Sequence, residues 1–342
     1  MARHLIYLSI AIALLITAAA SCQISRPNYG QWEKKDGLEA YRIQTSKLRG
    51  AFVAGDHTHA IKGCRHGLRG LVFLPTGRDL HPADGMLDQL SRRRVDGFLN
   101  LFRVYSGPAQ YCALRGEAAH VRQLADGAEL TWPASEQRPV EVRALWRVTG
   151  PAQIDLSLEA VAGEPLEDFE ILLANYVALD MVKGVHISGP EGPELFRVRP
   201  SPEYGDAENY PFFPLGVDAR RQQQQSGRFM SGSIWRRWKS HVTARDAALP
   251  IAFADDGKTQ VVLMGEPESV SAVCVTATPS TAPPEGWNGM ELHSALYFSL
   301  FCRDVAAGER LTARARLVVL EQPKDSLEAH GKLYAEFVAG RF

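Results

Sequence analysis

Four of the ten histidines in this 342-residue chain, His57, His59, His66 and His81, fall between Gly55 and Pro82. Arg65, Arg69 and Arg78 lie among them. Imidazole exchanges protons near neutral pH without needing burial, which suits it to general acid and base work. A guanidinium fork takes two hydroxyls or a carboxylate at once. If Asp56 to Ala60 is extended, His57 and His59 project to one face, and with His66 nearby they could hold a divalent metal. Asp56 points to the other face and completes no such set, so the reading takes no metal. Arg69 stands between Gly67-Leu68 and Gly70, where the glycines let a ligand approach the backbone closely.

Aromatic residues supply the other half of a binding chemistry. Trp235, Trp287 and Tyr210 are candidates for stacking on sugar faces, with Arg, Asp and Asn neighbours for the hydroxyls. Trp235 and Trp238 point to opposite sides of a strand, so at most one of them lines a groove. His293 closes the set, next to a strand pair with a clear two-residue period.

The elements that must position these groups are mostly strands. Val142, Ala144, Trp146 and Val148 alternate with Glu141, Arg143, Arg147 and Thr149. After Gly150-Pro151, Ile154, Leu156, Leu158 and Ala160 repeat the pattern. Such alternation marks half-buried antiparallel strands. Asp126-Gly127 reads as the turn of a hairpin between His120–Ala125 and Ala128–Trp132. Further strands are predicted at 38–45, 51–54, 98–105, with Asn100, Phe102 and Val104 on one side, then at 169–179, 235–243, 261–264 and 270–276. His293, Ala295, Tyr297, Ser299 and Phe301 share a face of the strand before Leu311–Leu320. Between Gly184 and Gly232 the pattern breaks, and a long loop is expected there. One helix is predicted, Lys324 to Val338, capped by Asp325 or Ser326, with His330 packed inside it.

A dozen or more strands without βαβ alternation indicate an all-β fold, a large antiparallel sandwich with one C-terminal helix. Residues 38–342 are expected to form a single β-sandwich domain after a linker at 23–37. Residues 1–22 read as an export signal: Arg3 and His4 precede an apolar run, Leu5 to Ala20, that ends in small residues before Cys22. Ala19-Ala20-Ser21-Cys22 resembles a lipoprotein processing site, with ordinary signal cleavage after Ala20 as the other reading. The protein is therefore expected to be exported, periplasmic or on the outer surface, and tethered by lipid on Cys22 if it is so processed. With 38 basic and 39 acidic residues the chain has no field that would recruit nucleic acid. Cys64, Cys112, Cys274 and Cys302 fit either two disulfides or buried thiols. GxSxG, P-loop, Rossmann, HExxH and EF-hand patterns are absent from the sequence, and no cofactor is expected.

His66-Gly67-Leu68-Arg69-Gly70-Leu71, then Pro75-Thr76-Gly77-Arg78-Asp79-Leu80, with Asp126 to Trp132 before the hairpin rhythm, resembles the galactose mutarotase-like β-supersandwich over residues 38–320. The resemblance implies a histidine acting as general acid on the ring oxygen and a glutamate acting as general base on the anomeric hydroxyl. It carries these roles to His66, His186 and Glu291, with His57, His59, Arg69 and Arg78 binding the sugar. The function expected is carbohydrate binding or processing. The alternative is a non-catalytic envelope scaffold, and the two differ in whether the histidines and Glu291 meet in one cleft.

Overall fold

A computed structural model describes residues 29–35, 38–55, 66–81, 97–107, 109–198, 210–229, 240–277 and 294–340. Its strands form three sheets. The first runs β1 (Gly30–Lys35), β2 (Leu38–Gln44), β3 (Leu48–Gly55), β4 (Gly67–Phe73), β5 (Arg78–Asp79). The second has seven strands in the order β16 (Ser240–Val242), β15 (Tyr210–Pro214), β19 (Val270–Ala277), β20 (Ser294–Val305), β12 (Leu166–Tyr176), β6 (Asn100–Ser106), β7 (Ala109–Cys112). The third has nine: β14 (Gly192–Val198), β13 (Val182–Gly189), β17 (Ala247–Asp255), β18 (Thr259–Gly265), β21 (Arg310–Glu321), β11 (Gln153–Ala162), β10 (Val140–Gly150), β9 (Gly127–Trp132), β8 (His120–Leu124). All pairings are antiparallel except β15 with β16, which is parallel. The all-β antiparallel sandwich read from the sequence is the fold observed.

The alternation of β10 and β11 works as predicted. Val142, Ala144, Trp146 and Val148 point into the main core, and Ala144 pairs with Leu158 and Trp146 with Leu156. That core draws on all three sheets, from Tyr41 to Val319. Gly127 proves to have a different task from the one expected. Leu124 pairs with Gly127, so Ala125 and Asp126 form the turn, and a Cβ at Gly127 would lie 1.9 Å from the Trp146 carbonyl oxygen. The glycine is there for close approach, not for turn geometry.

Two strands depart from strict alternation. Leu172 pairs with Arg103 but Leu173 with Leu101, so Phe102 is the extra residue of a β-bulge. Phe102 consequently turns away from the core while Val104 enters it, against the expectation that they share a side. Phe301 sits at φ 77°, stacks on Phe169 at 6.2 Å and joins the core, leaving the face of Tyr297 and Ser299. The region 184–232, expected as one long loop, holds β14, β15, most of β13 and a helix, α1 (Val217–Gln225). The glutamine run belongs to that helix, and Gln223 is fully buried.

The C-terminal helix α2 (Leu327–Val338) begins at Ser326, whose Oγ accepts from the Ala329 amide at 3.1 Å. It covers the outer side of β13, β17, β18 and β21, where Ile251, Phe253, Val262, Met264, Val318 and Phe337 cluster. Cys274 and Cys302 are free and buried, so they form no disulfide. No helix among the described residues is long and apolar enough to cross a membrane.

Lys183 is the costliest residue in this interior. It shares a side of β13 with Val185 and Ile187, is fully buried, and its Nζ reaches only the Leu179 carbonyl at 3.5 Å. Burial holds its ammonium near a pKa of about 7, with Asp180 pulling the other way. Between pH 7 and the ordinary 10.5 the unfolded chain keeps this proton and the folded chain does not, so stability rises with pH across that window. Lys183→Met should stabilise the protein at pH 6 by about 1–3 kcal/mol and remove this part of the pH dependence. Denaturant unfolding of both proteins at pH 6 and pH 9 checks it; an equal or lower stability of the variant at pH 6 counts against it.

Candidate functional site

The seven-stranded sheet turns one face to the main core and buries the other as well. Pairing registers place side chains of that second face in rows. Asn100, Ala174, Tyr297, Cys274 and Phe212 stand opposite one another across five strands. The next row toward the edge carries Tyr176, Ala295 and Thr276. Continuing the Phe212–Cys274 register two residues sets Tyr210 opposite Thr276, and Tyr210 pairs with Ser240. Ala174 and Ala295 stand in the middle of these rows, between aromatic neighbours.

Three tyrosines dominate this edge. Tyr297 lies 6.2 Å from Tyr176, edge-on at 82°, and 6.1 Å from Tyr210. Burial and the hydrogen bond with Tyr176 push the Tyr297 phenol well above 10, so it stays neutral. Arg115 stacks on Phe102 at 4.4 Å and its Nη1 donates to the Tyr176 hydroxyl at 3.5 Å. Beside these rings stand three polar side chains that find no hydrogen-bond partner among the described residues: both amide atoms of Asn100, the Thr276 hydroxyl and the Ser240 hydroxyl. They are 0%, 0% and 6% exposed. Buried polar groups left unmatched are rare and costly, and each calls for an explanation.

At the other end of the same face the polar side chains are linked to one another. Arg228 and Glu170, both fully buried, pair at 2.9 Å. Arg228 Nη2 donates to Gln223 Oε1 at 2.7 Å, and Gln223 Nε2 donates to Ser299 Oγ at 2.6 Å. Phe212 and Phe229, themselves edge-to-face at 5.6 Å, both lie against the guanidinium, at 4.5 and 4.3 Å. Burial pushes the Glu170 carboxyl up, and Arg228, Ser299 and Gln223 pull it back. This network fastens α1 and the 3-10 turn Gly227–Phe229 to β12 and β20.

Of the predicted residues that lie among the described ones, Tyr210 alone stands on this face and the others sit on separate elements. His66 Nε2–H donates to the Glu117 carbonyl at 2.8 Å and the ring meets Trp132 edge-on at 5.8 Å, which is a packing role. His186 lies on the nine-stranded sheet under α2, 2.8 Å from His330, with different partners from those of His66. Arg78 is committed to Asp180 and, at 3.1 Å, to Asp256, joining the β12–β13 turn to the β17–β18 turn. Arg69 stands on β4 opposite Ala51, in the five-stranded sheet. His57, His59, Trp235, Trp287, Glu291 and His293 lie outside the described residues. No cluster of three or more metal-ligating side chains exists among the described residues.

Sequence reasoning passed over Glu170, Arg228, Thr276 and Ser240. One signal was available: Glu170 is a lone acid in the apolar run Phe169 to Ala174, which asks for a buried cation.

No protein-family model and no curated protein matches the chain. Among solved structures it is similar to a galactose 1-epimerase from Lactobacillus acidophilus NCFM, with 10% identity, TM-score 0.45, and coverage of 86% of this chain and 98% of that one. An aldose epimerase homologue from C. elegans has 9% identity, TM-score 0.42, and coverage of 86% and 100%. A heparan sulfate lyase from Pedobacter heparinus has 9% identity and TM-score 0.43, and the match spans 87% of this chain but 37% of the lyase. Solved structures thus share the remote resemblance drawn from the motifs. At TM-scores below 0.5 it carries no argument about chemistry, which rests on this chain's own residues.

Removing one partner of the buried pair strands the other. Glu170→Gln and Arg228→Met should each destabilise the fold by about 3–5 kcal/mol, and the double variant should recover part of the loss. Urea unfolding of the cycle measures this; additive losses would mean that the pair is not coupled.

Proposed function

We propose that this chain is an exported carbohydrate-binding or carbohydrate-processing protein whose sugar site is the tyrosine-walled edge of the seven-stranded sheet. The observation that carries the reading is the set of unmatched groups, Asn100, Thr276 and Ser240, on a face walled by Tyr176, Tyr210 and Tyr297. A sugar offers hydroxyls that donate and accept, and C–H faces that pack on rings. A side-chain amide with both atoms free suits two neighbouring hydroxyls. The ring walls and alanine floor suit the apolar faces. Export rests on the segment Leu5 to Ala20, and lipid on Cys22 would hold the protein at a membrane.

The scaffold reading keeps one specific support: His66 and His186 are both taken up by packing, on different elements and with different partners. Binding without catalysis follows if no other acid–base pair completes the site. A monosaccharide and glycan binding screen, followed by anomer exchange measured by NMR on each hit, separates the readings. Exchange faster with protein than without supports processing. Binding with unchanged exchange supports a lectin-like module.

Thr276→Val and Asn100→Leu test the site directly. Each removes a buried polar group that has no partner, so each should raise stability by about 1 kcal/mol in the free protein. Each should also weaken a bound sugar roughly tenfold, about 1.4 kcal/mol. Calorimetric melting and ligand titration on the same variants read both quantities. Lower stability with unchanged affinity would remove these residues from the site.

A further inference from the structure

We propose that the His186–His330 pair is an acid-release latch for the C-terminal helix: when either ring takes up a proton, α2 leaves the nine-stranded sheet. The inference is independent of the sugar site, which lies on another sheet.

The hydrogen bonds fix where the protons are. Gln260 Nε2 donates to Asp325 Oδ1 at 3.3 Å, which leaves Gln260 Oε1 as an acceptor. Oε1 takes the Lys324 amide at 3.3 Å and His330 Nε2 at 3.3 Å, so His330 carries its proton on Nε2. His330 Nδ1 must then accept from His186 Nε2 at 2.8 Å. Both rings are neutral, and one proton lies between them. A second proton on His330 Nδ1 would face the N–H of His186 head-on unless His186 moved its own proton to Nδ1, and in either arrangement a charge is left on two buried rings packed against Phe253. His186 can shed neither strain nor charge to water, because the two rings are 3% and 0% exposed and Phe253 packs against both.

The surroundings decide the sign. His330 is on α2, His186 on β13 and Gln260 on β18. Arg197 of β14 reaches over from the side, pairing with Asp255 of β17 and with Asp325 just before α2. Arg314 and Arg316 of β21 face the far end of the helix, over Phe337. Burial, then His186, then Arg197 hold His330 down to about 4, and burial lowers His186, with Asp325 opposing. A histidine lowered in the docked state contributes stability that is present above 6.5 and lost as pH falls toward its docked value. Asp255, whose carboxyl burial pushes up, acts in the opposite sense. With His330 near 4 when docked and at 6.5 when free, this one ring makes release about 30-fold more favourable at pH 5 than at pH 7.5.

The test is amide hydrogen exchange on the full chain at pH 7.5 and pH 5, corrected for intrinsic rates. The expected result is that protection of 327–338 falls about 30-fold or more at pH 5 relative to the β10–β11 amides. His330→Gln and His186→Gln keep a hydrogen-bonding side chain and do not titrate, so each should flatten that change to a few-fold. A wild-type change below threefold, an equal loss in all strands, or an undiminished acid response in His330→Gln would overturn the latch. Should the variants fail to fold, an NMR titration of the wild-type imidazoles decides. Protonation of these two rings should coincide with loss of α2 protection, and protonation with the helix still protected would overturn the proposal.

Discussion

The seven-stranded sheet has no wet face, and most of what distinguishes this protein follows from that constraint. Its inner side meets the nine-stranded sheet through Ile171, Leu173, Val273, Val275, Leu296 and Phe298. Its outer side is covered too, so a polar residue there cannot fall back on water. The nine-stranded sheet can. Its exposed side carries a ladder of ion pairs, such as Arg122–Glu129 and Arg143–Glu159, of the surface kind that adds little to stability. A charge is cheap on the open side of β8 to β11 and expensive on either side of the seven-stranded sheet, so the polar groups kept there have something to explain.

They resolve into two groups. At one end of the outer face Arg228, Glu170, Gln223 and Ser299 are linked by one ion pair and two hydrogen bonds, and the result is a clamp on α1. At the other end Asn100, Thr276 and Ser240 are incomplete, though equally deep. One cluster is tied together by side-chain links and the next, on the same strands, has none for Asn100, Thr276 or Ser240, which points to an absent partner at that end. The histidines tell the opposite story. His66, His186 and His330 are all buried and matched within the fold, which fits structural work.

What could be read in the sequence tracks how each sheet is solvated. Strands with one wet side, such as β10 and β11, announce themselves by alternation, and the all-β class, the hairpins and the C-terminal helix were legible from them. Strands buried on both sides do not alternate, and two bulges, at Phe102 and Phe301, shift the parity where alternation exists. The four glutamines of α1, Gln222 to Gln225, carry no apolar pattern, yet Gln223 is an inner member of a hydrogen-bonded chain. For the site, attention went to the density of histidine, arginine and tryptophan. The open end is built from Asn, Thr, Ser and Tyr, residues whose local context is ordinary and whose meaning appears only when pairing registers bring them into rows. Tyr210 bridges the two views: its ring marks it as a stacking candidate, and its pairings place it in these rows.

The closed and open ends are also mechanically one object. Ser299, where the Arg228 chain terminates, lies two residues from Tyr297 on β20, so their side chains stand about 7 Å apart on the same face. Phe212, which stacks on Arg228, shares a row with Tyr297 and Asn100. The clamp therefore fixes the walls of the open end through two short, rigid routes. A buried ion pair gains little net stability over an apolar replacement, but it permits few alternative arrangements. That is the property a binding face needs, since its walls must hold their places while its own hydrogen bonds wait for a ligand.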